Sequence, residues 1–334
     1  MPNADLVLEG GGIKGIGLVG AVLELIENEY EFQRVAGTSA GSIVAALLAA
    51  GASRDQLLQT MNRLSYPKVP DRVWPGIPVV SEGAALLRTG GAYRGDYVHD
   101  FIESELEALG AQTFGDLVTT DAGLDPKLDA SRRYKLMVTV TDVTNGRLLR
   151  LPWDYPKLGL PPDTQSVATA VRASISIPLY FEPVTLTCGD GKKITLVDGG
   201  VLSNFPIEAF DRTQGKPRWP TFGVKIMPDL PADIEKLFPG IPGLPSALPP
   251  LNMLERVAAT AIVGHDQTYL ERPCVRRRTI TVDTSEIGIV EFDAPPETRE
   301  AVQAKGEAAA AAFLKHWNWD DYKRDCRPAK PDLG

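Results

Sequence analysis

The stretch Arg34-Val35-Ala36-Gly37-Thr38-Ser39-Ala40-Gly41-Ser42-Ile43-Val44-Ala45-Ala46-Leu47-Leu48 decides the fold of this chain. A short apolar run ends at Gly37, and a run rich in alanine and leucine, typical of a helix, begins at about Ala40. The two runs predict a strand, a sharp turn and a helix, with the pattern Gly-x-Ser-x-Gly at the turn. In this context the pattern is typical of a nucleophile elbow, which presents a serine at the tip of the turn.

The residue types in the turn fit that interpretation. A serine at the tip of so tight a turn adopts a strained backbone, and its neighbours two positions away must lack bulk. Gly37 and Gly41 meet that requirement. The helix that follows points its first N–H groups toward the site, where negative charge would develop. A glycine-flanked turn with an incidental serine is the alternative, but the strand and helix on the correct sides favour Ser39 as a nucleophile.

A glycine loop precedes this turn in the sequence. Asp5-Leu6-Val7-Leu8 predicts a buried strand, and Glu9-Gly10-Gly11-Gly12-Ile13-Lys14-Gly15 predicts a loop before a helix. The loop also matches Gly-x-Gly-x-x-Gly of dinucleotide-binding folds, but the second strand ends in the elbow and not in a ribose-binding acid. We therefore expect an oxyanion hole built from the N–H groups of Gly10, Gly11 and Gly12. Lys14 is expected at the surface, where it either holds the loop, meets an anionic head group or does neither.

A carboxylate follows a later strand. Ile194-Thr195-Leu196-Val197 predicts a buried strand that ends in Asp198-Gly199-Gly200. Sites in open α/β sheets collect at the carboxyl ends of strands, where Ser39 is also expected. An aspartate that only caps its own turn is the alternative, and the position beside Ser39 favours a general base.

The other predicted helices and strands, with the proline-rich stretches between them, indicate one domain over residues 1–317. Helices are expected from about residue 18 to 26 and over 40–50, 96–109, 164–174, 251–270 and 297–317, with another that begins after a capping box at Ser53. Further strands are expected over 134–141, 147–151, 221–227 and 278–283, with a type I′ hairpin turn at Asn145-Gly146.

Proline-rich excursions occupy 65–95 and 228–250, and 318–334 is expected to be a polar, frayed tail. An apolar rim that meets lipid aggregates is expected from Val69, Val73, Trp74, Ile77, Leu237, Phe238, Ile241 and Leu244.

Composition limits the classes of function. The 334 residues are 43% hydrophobic and 23% charged, as in a globular protein with a sizeable core. A net charge of −8 argues against nucleic acid as a partner. Cys188, Cys274 and Cys326 lie far apart in sequence and are expected to be free thiols. No signal peptide or membrane-spanning run is evident, so a cytoplasmic protein with transient, peripheral membrane contact is expected.

Three blocks in this order resemble the patatin-like phospholipase family: the glycine loop 10–15, the elbow 37–41 and Asp198-Gly199-Gly200. Two further pieces resemble it as well, Arg172-Ala173-Ser174-Ile175-Ser176-Ile177-Pro178 with Phe181-Glu182-Pro183-Val184, and Asn204-Phe205-Pro206. Together they cover about residues 5 to 227, and their combination is specific although no single block is.

The resemblance implies a three-layer α/β/α fold with a mainly parallel central sheet. It also implies a Ser-Asp dyad in which Ser39 attacks an acyl ester and Asp198 is the base, with residues 10–12 as the oxyanion hole. Lys14, Gly15, Gly37, Gly41, Gly199 and Gly200 would support the motifs. The implied substrates are phospholipids, lysophospholipids or other acyl lipids, hydrolysed without a metal or other cofactor; the oligomeric state is left open.

Two alternatives stay open from the sequence. One is an α/β-hydrolase with a Ser-Asp-His triad that uses His265 or His316. The other is a catalytically silent lipid-binding module on the same fold. His265 is the stronger histidine candidate because it follows Asp198 in chain order, yet its helical setting is unusual for a triad base. His99 is expected to be a surface residue.

Overall fold

A computed structural model describes residues 1–72, 88–119, 132–212, 217–226, 257, 260–261 and 272–326 of the chain. The strands are β1 (Asn3–Leu8), β2 (Glu31–Gly37), β3 (Gly91–Tyr93), β4 (Leu136–Asp142), β5 (Arg147–Leu151), β6 (Leu179–Phe181), β7 (Val184–Thr187), β8 (Lys193–Asp198), β9 (Thr221–Lys225) and β10 (Thr279–Thr281). The α-helices are α1 (Gly15–Glu27), α2 (Ala40–Ala49), α3 (Arg54–Arg63), α4 (Asp96–Ala108), α5 (Val167–Ser174), α6 (Pro273–Arg276), α7 (Pro296–His316) and α8 (Trp319–Cys326).

The central sheet is mixed and mostly parallel, which confirms the predicted α/β class. Its strand order is β10-β9-β1-β2-β4-β8-β7, and β5 also pairs with β4. The pairings from β10 through β4 are parallel, whereas β5 and β8 run antiparallel to β4 and β7 runs antiparallel to β8. The interior strand β1 is buried from Ala4 to Leu8; these residues are apolar except Asp5, whose carboxylate pairs with Arg34.

Glycines let α7 lie close against α1. A Cβ at Gly20 would stand 2.0 Å from the carbonyl oxygen of Gln303, and one at Gly306 would stand 2.2 Å from that of Gly17. The helix predicted over 297–317 therefore covers α1. No helix in the described ranges combines the length and the apolar character needed to cross a bilayer.

The structure corrects several local predictions. Asn145 does not adopt a positive φ, so the β4–β5 turn is not type I′; the Asp142 carboxylate instead accepts hydrogen bonds from the N–H groups of Thr144 and Asn145. Part of the excursion 65–95 is ordered, since β3 pairs in parallel with β6. Val69 is buried and not part of an exposed rim. The other predicted rim residues, with 228–250 and most of 251–270, lie outside the described residues.

The C-terminal segment also differs from the expectation. Residues Trp319–Cys326 form α8 and are not frayed, and a disulfide joins Cys274 to Cys326. The prediction of three free thiols is therefore wrong for two of them, and Cys188 alone is free. A pairing between residues 52 apart in sequence depends on how α6 and α8 meet in the fold, which spacing does not reveal. The remainder, 327–334, lies outside the described residues.

Candidate active site

Two strands bring the predicted serine and aspartate together. In the register of the sheet, Gly37 of β2 lies beside Val138 of β4, and Asp198 of β8 lies beside Val140. Because β2 runs parallel to β4 and β8 runs antiparallel to it, the carboxyl ends of the two strands meet within three residues of β4. Ser39 lies two residues beyond the end of β2, and Asp198 is the last residue of β8. The sheet therefore brings the two residues together, although they are 159 positions apart in the chain.

The turn at Ser39 has the geometry of a nucleophile elbow. Ser39 adopts φ 50° and ψ −127°, a conformation that costs a non-glycine residue about 1–3 kcal/mol. A Cβ at Gly37 would stand 2.3 Å from the carbonyl oxygen of Gly41. One at Gly41 would stand 2.5 Å from that of Leu8. Both flanking glycines are thus required by contact with backbone, as the spacing predicts.

Hydrogen bonds from outside the elbow fix the Ser39 backbone. The Ser39 N–H donates to Ser174 Oγ at 2.9 Å, and Ser174 Oγ donates to the carbonyl oxygen of Thr139 at 2.8 Å. The carbonyl oxygen of Ser39 accepts from Ser42 Oγ at 2.6 Å. Ser174, at the end of α5, thus positions the Ser39 backbone, a role that the motif around it in the sequence does not indicate.

Asp198 is a buried carboxylate beside Ser39. It is 1% exposed, and its carboxylate accepts a hydrogen bond from the Gly200 N–H at 2.8 Å. Burial raises the pKa of Asp198 to about 7, and the interactions with the Ser39 side chain and the Gly200 N–H oppose that rise. A carboxylate with this pKa is a stronger base than an exposed aspartate and is still ionised in half or more of the molecules above pH 7.

Gly199 and Gly200 hold that carboxylate in place. A Cβ at Gly199 would stand 2.4 Å from the carbonyl oxygen of Thr139 on β4. The Gly200 N–H contacts Asp198 directly. The glycines after the aspartate thus allow the chain to turn tightly against β4.

The glycine loop lies against the elbow but offers fewer free donors than expected. The Gly10 N–H donates to the carbonyl oxygen of Asn204 at 3.2 Å, and Asn204 Nδ2 donates back to the Gly10 carbonyl at 3.1 Å. Gly10 is therefore clamped, and its N–H is not available to an oxyanion while that bond stands. Within the described residues, the N–H groups of Gly11 and Gly12 have no acceptor. A Cβ at Gly10 would also lie 3.0 Å from Ser39 Cβ, which shows how near the loop approaches.

Lys14 is buried, contrary to the surface position expected. It is 1% exposed, and Nζ donates to the carbonyl oxygen of Thr284 at 2.6 Å. Burial lowers its pKa to about 8, against the attraction of nearby carboxylates such as Glu286. The amine thus holds the glycine loop to residue 284 and does not reach a head group. The next loop residue, Gly15, packs against Ala40, where a Cβ would stand 2.8 Å from Ala40 Cβ.

The two described histidines lie away from this site. His99 pairs with Asp100 on α4 at 3.2 Å, and His316 is exposed in the last turn of α7. Neither lines the cavity at Ser39. His265 lies outside the described residues, so its part in a triad stays a prediction of the alternative. Ligand atoms of His99, Asp100 and Glu103 lie within 4.8 Å of one another, but on the outer face of α4.

An apolar cavity opens at Ser39. We call it the acyl cavity; it encloses about 550 Å³, part of it open to solvent. Its lining is almost wholly aliphatic and aromatic and consists of Gly12, Ile13, Gly15, Ile16, Ser39, Ala40, Ile43, Val44, Met61, Leu64, Tyr66, Val69, Val98, Ile175, Ile177, Phe181 and Phe292. Such a surface suits a hydrocarbon chain.

The sheet and the elbow define an α/β protein whose site lies at the carboxyl ends of its strands. Within that class, the chain belongs to the patatin-like phospholipase family, whose sequence profile matches residues 6–211.

Two curated relatives and one solved structure are similar to this chain. YqhO of Bacillus subtilis is 38% identical over 225 residues, which are 67% of this chain and 71% of YqhO. The cUMP-AMP-activated phospholipase of Escherichia coli is 30% identical over 209 residues, 60% of this chain and 55% of that protein. The crystal structure of VipD from Legionella pneumophila superposes with a TM-score of 0.50 at 20% identity, over 93% of this chain and 66% of VipD. The matched region is thus only part of each relative.

Proposed function

We propose that this chain is a lipid acyl hydrolase, of phospholipase A or lysophospholipase type, that acts through a dyad of Ser39 and Asp198. The observation that carries the proposal is that the sheet brings the buried Asp198 next to Ser39, whose side chain favours the ionised form of that carboxylate and lines the acyl cavity. A carboxylate that takes the hydroxyl proton itself needs no histidine between them. Membership of the family supports the reaction class.

The proposed reaction has two halves. Asp198 accepts the Ser39 hydroxyl proton as Oγ bonds to the ester carbonyl carbon, and the carbonyl oxygen becomes an oxyanion. The carbon–oxygen bond to the alcohol then breaks, and Asp198 returns the proton to the leaving alkoxide. In the second half Asp198 deprotonates a water that attacks the acyl-enzyme, and the returned proton restores Ser39 as the fatty acid leaves.

The oxyanion would be stabilised by the N–H groups of Gly11 and Gly12. Those donors lack an acceptor in the described part of the chain, and their loop lies against Ser39. Each donor fixed in such a place contributes on the order of 3 kcal/mol to the transition state. In this proposal Gly10 positions the loop through Asn204, and it is not itself a donor.

The acyl cavity supports the proposed class of substrate. Its aliphatic and aromatic lining would bury a hydrocarbon chain while the ester stays at Ser39. The proposed substrates are thus lipids or lysolipids presented by a membrane or micelle, and the proposed peripheral membrane contact agrees with that. No step in this scheme uses a metal or another cofactor.

Mass spectrometry of lipid products tests the proposal. Wild type is expected to release fatty acid from phospholipid or lysophospholipid vesicles, with Ser39→Ala and Asp198→Asn both slower by about 10⁴-fold or more. Ser104→Ala, which changes an exposed serine on α4, is the matched control and should retain full activity. A Ser39→Ala protein within tenfold of wild type would refute the dyad. A wild type inactive on every acyl ester would favour the silent lipid-binding alternative.

A further inference from the structure

A second cavity adjoins the acyl cavity. We call it the polar cavity; it encloses about 520 Å³ and is lined by Ile16, Val19, Met61, Asn62, Tyr66, Pro296, Arg299, Glu300 and Gln303. Ile16, Met61 and Tyr66 line both cavities, so these three side chains form their common wall. Ile16 directly follows Gly15, which packs against Ala40 beside Ser39. The polar cavity therefore lies directly across these side chains from the cavity at Ser39.

Arg299 is the feature of this cavity that the proposed mechanism does not use. Its guanidinium lies over the Tyr66 ring, with Cζ 5.0 Å from the ring centroid. Nε is buried and has no hydrogen-bond partner, and the guanidinium forms no ion pair with a described residue. A buried donor without an acceptor is costly, so the site gains free energy when an acceptor enters. The stacked ring covers one face of the guanidinium, whereas its N–H edge is the part that recognises oxyanions.

The charges around Arg299 define the ligand more closely. Lys14 cannot supply a second cation, because its amine is held by Thr284. Glu300, the next residue on α7, contributes an exposed carboxylate to the same cavity. A cation beside an anion suits a phosphate that carries an ammonium, as in the head groups of zwitterionic phospholipids.

From this arrangement we infer that the polar cavity binds the phosphate of a phospholipid head group through Arg299, while the acyl chain occupies the acyl cavity. The inference rests on the proposed function, because it places the ester of the same lipid at Ser39. It makes Arg299 a residue that selects phospholipids over neutral acyl lipids.

Binding of a lipid that cannot be hydrolysed tests the inference independently of activity. Decylphosphocholine, below its critical micelle concentration, is titrated calorimetrically into wild type, Arg299→Gln and Arg299→Lys. Arg299→Gln is expected to bind at least about tenfold more weakly, and Arg299→Lys, which keeps the charge without the planar fork, is expected to lie between. Lys315→Gln removes a cation from the far end of the same helix and should bind as wild type does. Decyl maltoside, which has no phosphate, should bind equally to all four proteins.

Hydrolysis gives a second measurement. Arg299→Gln should lower kcat/KM for lysophosphatidylcholine about tenfold, mainly through KM, and leave kcat/KM for a monoacylglycerol of the same chain within twofold. Unchanged monoacylglycerol hydrolysis also shows that the variant is folded.

The outcomes separate this inference from the proposed function. Equal binding of decylphosphocholine by wild type and Arg299→Gln would overturn the head-group site, even if Ser39 proves essential. A variant that slows p-nitrophenyl hydrogen azelate, whose acyl chain ends in a carboxylate, but not lysophosphatidylcholine would also overturn it, in favour of an acid-tipped acyl chain. Phosphate-dependent binding in a protein that hydrolyses no ester would instead support the cavity and refute the proposed reaction.

Discussion

The burial of Asp198 sets the pH range in which Ser39 could act. Its carboxyl group can accept the Ser39 proton only when ionised, and burial raises its pKa to about 7. We therefore expect kcat/KM for an uncharged short-chain ester to rise with pH up to about 7 and to level off above it. At pH 5 the value should be about 100-fold below the plateau, since each pH unit below the pKa lowers the ionised fraction about tenfold. A profile that stays flat down to pH 5 would show that another group is the base.

Ser174 gives a second prediction at this scale. Its hydroxyl links the Ser39 N–H to β4 through Thr139, and Ser174→Ala would leave both of these buried backbone groups without that partner. We expect kcat to fall about 10- to 100-fold with KM little changed, because the elbow would lose its orientation while the acyl cavity stays intact.

The comparison for Ser174→Ala is Ser104→Ala on α4. A merely structural role for Ser174 would lower the melting temperature but leave kcat per folded molecule as in wild type, so thermal unfolding and active-site titration are measured together. An unchanged kcat would contradict the positioning role.

At the scale of elements, the elbow depends on a contact between α2 and β1. A Cβ at Gly41 would stand 2.5 Å from the Leu8 carbonyl oxygen and 2.6 Å from that of Glu9, and backbone atoms there cannot move aside. We expect Gly41→Ala to lower the free energy of unfolding by about 3 kcal/mol or more. Gly110→Ala is the matched control: its φ of +75° is strained for alanine, but nothing lies within 4 Å, so a loss of about 1 kcal/mol is expected. Equal losses in urea denaturation would show that contact at Gly41 is not limiting.

The same elements show how far the sequence leads. The strands and helices around the glycine loop, the elbow and Asp198 were predictable because each combines a strong local pattern with a turn residue, and the Ser53 capping box is confirmed in full. The short parallel pair β3–β6 was not predictable, because three-residue strands have no periodicity and form only when the fold brings them together.

The site itself was predictable in part for a related reason. Ser39 and Asp198 carry motifs, so their positions at strand ends follow from the sequence. No local pattern predicts the hydrogen bonds between Asn204 and Gly10 or the burial of Lys14 against Thr284. Both contacts join residues about 200 or more positions apart. Local sequence indicates which residues could act, and the packing of distant segments decides which of their donors stay free.

At the scale of the whole molecule, α8 attaches the C-terminal segment to the rest of the domain. The disulfide between Cys274 and Cys326 joins α6 to α8, and an ion pair between Arg277 and Asp325 at 2.7 Å lies beside it. Tyr322 of α8 is buried, and its ring contacts Trp317 with centroids 5.3 Å apart. The segment is therefore held by a covalent bond and by packing together.

That arrangement predicts a loss of stability without a loss of activity. In the chain-entropy account, a cross-link between residues 52 apart lowers the entropy of the unfolded chain and so stabilises the folded state by about 4 kcal/mol. Cys326→Ser should therefore lower the free energy of unfolding by up to about that amount, while the packing of Tyr322 is retained. Because neither α6 nor α8 lines the acyl cavity, kcat/KM for a short ester should stay within twofold of wild type. Cys188→Ser, which changes the free cysteine, is the control and should leave stability nearly unchanged.

Alkylation of the unfolded, unreduced protein should label one cysteine, and alkylation after reduction should label three. Three labels without reductant would show that the bond does not form.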